Sequence, residues 1–427
     1  MDIQKLVANL ESCPCGRAHS VEIRAVEIGS GILARTAEIL RANDFPRRIL
    51  VVADENTLGA SRGILEVLRE GGFDVKTKIY EDLRVADMRD VNTVRELCRD
   101  VDGILSVGSG SLNDICRYAA RLEDKAFAIF ATAPSMDGFA SGTSPITENN
   151  FKTTRQARQP SVILADTAIL ARSPAILKGS GFGDVIAKYV AIVDWKVSRM
   201  VTGEYYCQAI ADLTLGAVER MVALADRVTQ EDEETAGAIM EALVLTGLAM
   251  RLADCVRPAS GTEHIISHFW EIKKLERGLI SDFHGRKVGV ATLMTAKIYH
   301  WLAEQDVRFV KENLDWDRIY AAYGPAFTGD VKKLNSPTVT EETTPERCNA
   351  CWPEIRRIVR EELPSFETLY DVMKRAGCAL TLEDIAVDRE LGAMGLEFHP
   401  YMRHRMTLMR LIPMMEGIRP DFASFLG

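Results

Sequence analysis

The chain has 427 residues, of which 47% are hydrophobic and 26% charged, with a formal net charge of -9. Those proportions predict an ordinary globular protein of two or three domains, each large enough to bury a core. They argue against a nucleic-acid surface. No uninterrupted apolar run reaches the roughly 18 residues of a bilayer span, and MDIQKLVANLESCPCG lacks the basic-then-apolar order of a secretory signal, so a cytoplasmic location is expected.

In chain order, the first cluster is Cys13, Cys15 and His19. With Cys348 and Cys351 in ERCNACW it makes two zinc-like local groups. Hundreds of residues separate them and neither has a partner pair nearby. Nine scattered cysteines, an odd number, fit reduced thiols better than a disulfide framework, and free thiols are expected here rather than a second, structural metal.

Strand-length apolar runs follow at RRILVVAD (47–54), FDVKTKIY (73–80), DGILSVGS (102–109), FAIFATAP (127–134) and SVILAD (161–166), with amphipathic segments between them. This alternation predicts an α/β domain with a parallel sheet covered by helices. From about residue 170 the strand signal ends and apolar residues recur at helical spacing, so the second half is expected to be all-helical. The Ser, Pro and Gly of ARSPAILKGSGFG mark the expected boundary, giving domains 1–170 and 171–427. Residues 327–350 are expected to form a long polar loop.

Three segments carry chemistry. In LSVGSGSLNDICRYAA, Gly108, Ser109, Gly110 and Ser111 follow a strand and open a helix, where close backbone approach and free N–H groups suit a phosphate. A tight turn would look the same. Asp54 ends the first predicted strand, where a carboxylate can accept from a ribose or simply cap a turn. The loop APSMDGFASGTSPI holds Ser135, Asp137, Gly138, Ser141 and Gly142, suited to a small polyol or a nicotinamide amide, although turns are rich in such residues anyway.

The metal candidates fall in the helical half. Asp184 follows GFG, so a position near a helix start is expected, with Lys188 one turn later as a weak exposed partner. His264 and His268 in SGTEHIISH share one helical face, and His284 opens FHGRKVG. One carboxylate with two imidazoles and an open position makes a Lewis-acid metal site, and either or both of His264 and His268 could ligate. Arg286 and Lys287 could hold a substrate phosphate, but a solvated helix face is the plainer expectation.

In this order, VGSGSLND, ATAPSMDGFAS, GFGDVIAK, SGTEHIISH and FHGRKVGV resemble the sn-glycerol-1-phosphate dehydrogenase family. That family belongs to the group of glycerol dehydrogenases, iron-containing alcohol dehydrogenases and dehydroquinate synthase. The N-terminal CPCGRAH is similar to the start of bacterial members. The resemblance covers about residues 13 to 300; the last 120 residues add little to it.

The resemblance implies a dehydroquinate synthase-like fold with the active site in a cleft between the two domains. It implies Asp184, His264 and His284 as ligands of one divalent metal (zinc, nickel or iron), with Asp184 also contacting substrate. Asp137 and His268 would be the catalytic and substrate-side residues, joined by Lys152. NAD(P) would be held by Asp54, Gly108, Gly110, Ser111, Asn113, Asp114, Thr132, Ser135 and Ser141. The implied reaction is reduction of dihydroxyacetone phosphate to sn-glycerol 1-phosphate, by a homodimer. A glycerol or small-polyol dehydrogenase, a dehydroquinate synthase-like cyclase and an inactive sensor are the alternatives. Ser109 and Arg117 depart from the wider group's usual glycine and lysine, and Gly285-Arg286-Lys287 from its Gly-Glu.

Overall fold

The computed structural model describes residues 3–148 and 151–426. A short helix, α1 (Ile3–Ala8), precedes the strands β1 (Ala25–Gly29), β2 (Arg48–Asp54), β3 (Asp74–Tyr80), β4 (Gly103–Val107), β5 (Ala126–Ala131), β6 (Thr143–Glu148), β7 (Phe151–Gln156) and β8 (Val162–Asp166). Six are parallel in the order β1-β8-β5-β4-β2-β3, and β6 and β7 pair as an antiparallel hairpin. Helices α2 (Ile32–Ala42), α3 (Glu55–Ala60), α4 (Ile64–Glu70), α5 (Met88–Leu97) and α6 (Gly110–Leu122) fill the connections.

The continuous apolar strands reflect burial on both faces. Ile49, Val51 and Ala53 of β2 join the core with Leu40 of α2 and Leu68 of α4. Their neighbours Leu50 and Val52 pack with Val94 of α5 and Ile115 of α6 on the other side. All five strands expected from sequence are present. The edge strand β1 was not anticipated, because AVEIG is short and only Val26 of its five residues is buried. From β3 at one edge the chain returns to the far side of β2, so the connections after β2 and β4 part and leave a crevice at their carboxyl ends, beside Asp54 and the glycine loop.

The rest is helical: α7 (Thr167–Arg172), α8 (Ala175–Ile186), α9 (Lys188–Thr202), α10 (Gln208–Val222), α11 (Glu233–Ala253), α12 (Thr262–Glu276), α13 (His284–Ala303), α14 (Trp316–Tyr323), α15 (Pro325–Leu334), α16 (Pro345–Glu362), α17 (Phe366–Arg375) and α18 (Arg389–Phe398). Two expectations are corrected here. The Ser and Gly of AILKGSGFG, the expected boundary segment, mark no break in structure: the segment forms most of α8, a buried helix. The stretch 327–350 is not a long loop: it holds the end of α15, a 3-10 turn at Val339–Glu342 and the start of α16, where Thr344 accepts from the Arg347 N–H and Pro345 takes the first turn. Helix α11 is by length and mean hydropathy long and apolar enough to cross a membrane, and 78% of its most apolar window is buried inside the fold.

Glycine weakens an isolated helix by about 1 kcal/mol relative to alanine, so α8 forms for a tertiary reason. A Cβ on Gly183 would lie 2.5 Å from the Gly285 carbonyl oxygen, and one on Gly285 would lie 1.9 Å from that of Ser180. Helices α8 and α13 therefore meet backbone to backbone. Gly285→Ala is expected to force them apart and cost about 1–3 kcal/mol as overpacking, read as a lower urea midpoint; an unchanged midpoint would show that the contact can relax.

Candidate active site

A cavity of about 500 Å³ opens where the carboxyl ends of β2 and β4 face the helical half, a size typical of ligand sites. Asp54, Gly110, Ser111 and Asp114, with Lys152 of β7, line it from the α/β half, and His264, His268 and His284 from the helical half.

The close α8–α13 contact brings Asp184 and His284 together, and α12 adds His264. One donor atom from each of the three lies within 4.8 Å of the others. Asp184 does not begin a helix, as expected from GFG, but sits in the last turn of α8. There the helix dipole disfavours its charge, and three partners compensate. Lys188 Nζ lies 2.9 Å from its Oδ1, His264 Nε2 lies 3.3 Å from the same oxygen, and the Asp137 N–H donates to Oδ2 at 2.9 Å. Burial alone would push this carboxyl up; the Lys188 ammonium and the two imidazoles hold it well below the usual carboxylate range. The pair with Lys188 is thus no weak surface contact. Both side chains are fully buried, and Lys188 Nζ also lies 2.6 Å from Asp137 Oδ2.

His264 is in the first turn of α12 and His284 is the first residue of α13. Burial keeps His284 neutral, its basicity well below the ordinary value, and a positive helix end favours the same form. For His264 burial acts in that direction too, but bonds to Asp184 and Glu263 prevail and raise it to about 9. Its Nδ1 is 2.6 Å from Glu263 Oε1, the carboxylate–histidine arrangement that orients metal-ligating imidazoles. The donor set therefore fits a divalent ion. His268 stacks on His284 with ring centroids 5.6 Å apart. Burial lowers it to about 3, partly offset by Glu271, whose Oε2 lies 3.4 Å from its Nδ1.

On the sheet side, Gly110 has φ +42°, a left-handed value suited to glycine, and opens α6 after Ser109. Asp54 does what the plainer reading allowed: it caps α3, accepting from the Thr57 N–H at 2.8 Å, while still facing the cavity. Ser135 and Ser141 line the cavity; Gly108, Asn113 and Thr132 are not among its lining residues. Asn113 is buried beneath the loop and accepts from Ser106 Oγ at 2.7 Å. Arg117, fully buried, ties α6 to the neighbouring loop through the Thr143 carbonyl at 3.0 Å and those of Gly138 and Phe139.

Several cavity residues escaped the sequence reading. Glu271 lies 2.9 Å from Lys152 Nζ and 3.4 Å from Lys287 Nζ. Lys287 is 2% exposed, so the expected solvated face does not exist; Arg286, partly exposed, pairs with Asp282 at 2.9 Å. Arg403 and Arg405 reach the cavity from beyond α18. Among the described residues no carboxylate lies within 4 Å of either. The Arg405 guanidinium donates to the Ser260 carbonyl and hydroxyl oxygens, both at 3.0 Å. The signals were present: Glu271 follows His268 by one helical turn, and FHPYMRHRMTLMRLIPMM carries cations without an acid.

Residues 27–174 match the family model described as iron-containing alcohol dehydrogenase. The glycerol-1-phosphate dehydrogenase [NAD(P)+] of Geobacillus stearothermophilus is 29% identical over 95% of this chain and 96% of the relative. That of Methanothermobacter thermautotrophicus is 32% identical over 65% of this chain and 78% of the relative, and that of Bacillus velezensis 34% over 66% and 73%. Among solved structures, glycerol dehydrogenase from Schizosaccharomyces pombe superposes with a TM-score of 0.64 at 17% identity, covering 96% of this chain and 90% of that one. At that identity the likeness is one of fold, the dehydroquinate synthase-like fold expected from sequence.

Removing one member of a buried charge cluster costs about 3–5 kcal/mol. Lys188→Met, which leaves Asp137 and Asp184 facing each other, is expected to lose that much stability in urea titrations of chelator-treated protein. A wild-type midpoint in the variant would contradict the geometry.

Proposed function

The chain belongs to the glycerol-1-phosphate dehydrogenase family, and from that premise we propose how its cleft reduces dihydroxyacetone phosphate to sn-glycerol 1-phosphate with NADH or NADPH. The observation that carries the reading is convergence: the glycine loop, His264 and His284 line one cavity, and Asp184, fully buried and so out of reach of substrate, has a donor atom within 4.8 Å of theirs. Residues 1–170 then form the NAD(P)-binding half and 171–427 the half that holds metal and substrate.

The N–H groups at the start of α6 receive the cofactor pyrophosphate, with Gly110 and Ser111 in contact and Gly108 and Asn113 holding the loop from below. Asp54, its cap notwithstanding, offers a carboxylate to the adenosine ribose. Ser135, Ser141 and Asp137 border the nicotinamide side, whereas Thr132 does not line the cavity. Asp184, His264 and His284 hold one divalent ion, and zinc, nickel and iron(II) all suit that donor set. When bound, such an ion polarises a substrate carbonyl as a Lewis acid and a reduced nicotinamide supplies hydride.

The chain's own residues do the rest. Lys188 keeps Asp184 ionised as a donor. His264 gives up its proton on ligation, so acid competes with the metal. Lys152 and Lys287 share Glu271, whereas Arg403 and Arg405 have no carboxylate within 4 Å. Burial and the like charges of Arg257 and Arg403 press the Arg405 guanidinium below its ordinary basicity, which a substrate phosphate would relieve. Neutral His268 stores no proton; oriented by the Glu271 carboxylate, it relays one from solvent to the C2 oxygen as the alkoxide forms. We infer a cytoplasmic homodimer, in keeping with nine free cysteines.

Chelator treatment is expected to abolish NADH oxidation with dihydroxyacetone phosphate, and divalent metal to restore it; full activity in metal-free protein would end the proposal. Arg403→Ala should raise KM for dihydroxyacetone phosphate about 10-fold or more, as expected for a lost charge-assisted contact of at least 1.4 kcal/mol, and leave the weak turnover of unphosphorylated dihydroxyacetone unchanged. Equal losses on both substrates would remove Arg403 from the phosphate.

Burial raises Asp114 to about 7, against the opposing Arg117. Its folded value exceeds the unfolded value of 3.8. The native state therefore binds more protons, and stability is lost as pH rises toward and through 7. The same ionisation sets a negative charge near the pyrophosphate. NADH affinity, followed by nicotinamide fluorescence, is expected to weaken between about pH 6 and 8 in the wild type and to be flat in Asp114→Asn; a flat wild-type profile would refute this.

A further inference from the structure

We propose that Cys13, Cys15, His19 and Cys207 form a second metal site, a closed four-ligand structural site for a zinc-class divalent cation. It is independent of the cleft and of the reading given to it. The sequence showed only three of these residues, and the absence of a local partner argued for free thiols. Folding supplies the fourth, 188 positions beyond His19.

One donor atom from each of the four lies within 4.8 Å of all the others. Cys13 Sγ and Cys207 Sγ are 3.4 Å apart, Cys15 Sγ and His19 Nε2 3.2 Å, and Cys207 Sγ and His19 Nε2 4.0 Å. A tetrahedral zinc with bonds of about 2.3 Å to sulfur and 2.0–2.1 Å to nitrogen has ligand edges of about 3.8 Å (S to S) and 3.6 Å (S to N). The two sulfur–nitrogen separations bracket their edge, and the sulfur–sulfur separation falls about 0.4 Å short of its own. A Cys13–Cys207 disulfide would need its sulfurs to close to about 2.0 Å and would leave Cys15 and His19 facing one another with no role.

The imidazole is already set for ligation. His19 Nδ1 donates to the Leu252 carbonyl at 2.7 Å, which leaves the Nε2 lone pair directed at the three sulfurs, as a backbone carbonyl commonly fixes the tautomer of a metal-bound histidine. His19 is 8% exposed and Cys207 fully buried. Thiolates and imidazole select a soft or borderline cation over magnesium or calcium. Four protein donors leave no position for substrate, so the site is structural.

Its location gives the role. Cys13, Cys15 and His19 lie between α1 and β1, Cys207 is the N-cap of α10, and Leu252 is in the last turn of α11. The ion would fasten the segment that leads into the sheet to two helices of the other half. Around it, Tyr205 OH lies 3.5 Å from Cys15 Sγ, Arg17 stacks over the Tyr205 ring at 3.7 Å, and Trp195 Nε1 donates to the Tyr205 carbonyl at 2.6 Å.

The test uses full-length protein loaded with zinc. Elemental analysis should find one equivalent beyond the cleft ion. Cys15→Ser and Cys207→Ser should each lose that equivalent, keep the chelator-sensitive cleft ion, and unfold at a lower temperature. In the native wild type, three thiols should become reactive toward a thiol-labelling reagent only once a strong chelator strips the zinc. If a variant fails to fold, wild type refolded with cobalt(II) decides the matter through a thiolate-to-metal charge-transfer band. Unchanged metal content in the variants, absence of that band, or a Cys13–Cys207 disulfide in protein purified with thiols trapped would each overturn the site.

Discussion

The backbone contact between α8 and α13 is the constraint on which the cleft depends. Gly183 and Gly285 leave no room for a Cβ on either side, so the two helices lie closer than side chains would allow. That proximity puts the final turn of one beside the first turn of the other. Asp184 and His284 are thus neighbours because of backbone packing, and their shared location needs no direct bond between them. The same helix touches the loop after β5, where the Ser180 hydroxyl donates to the Ser135 carbonyl at 3.0 Å, and this registers the sheet against the helical half.

Charge is arranged around this contact with little slack. Asp137, Asp184 and Glu263 are buried together, and Lys188 is the lysine that faces the first two. A carboxylate at a helix C-terminus and imidazoles at helix N-termini each run against the dipole in the charged form. For the histidines this favours the neutral, ligating state; for Asp184 it demands a cation. The rise of His264 to about 9 has the same origin, because positive charge beside Asp184 and Glu263 is stabilised whether it arrives as a proton or as a metal ion.

Legibility in the sequence followed how local each cause is. Strands buried on both faces announce themselves as apolar runs, and all five such runs were visible. β1 was hidden because a single residue of its short length, Val26, is buried. The glycines of α8 misled for a physical reason: their low helix propensity is overridden by close approach to backbones distant in sequence, which no local window contains. Asp184, His264 and His284 were visible because few histidines cluster as these do. Lys188 and Lys287 were visible as residues but misjudged in environment, since burial is a tertiary fact. Cys207 shares no local pattern with Cys13, Cys15 and His19, and only the approach of α10 to the N-terminal segment joins them.

The arginines show how substrate choice can be separated from chemistry in this fold. The donor set belongs to α8, α12 and α13, within the stretch that carries the family motifs. Arg403 and Arg405 follow a 3-10 turn at His399–Met402 that packs against α12, and Arg405 is fastened to Ser260 at the entry to that helix. A change in the last part of the chain could therefore alter the charge offered to a ligand without moving the ion or the glycine loop. Among the described residues these two partly buried guanidiniums lack a carboxylate within 4 Å, a desolvation cost that a bound anion would offset. That cost is the physical argument for a phosphorylated substrate over a free polyol on this scaffold.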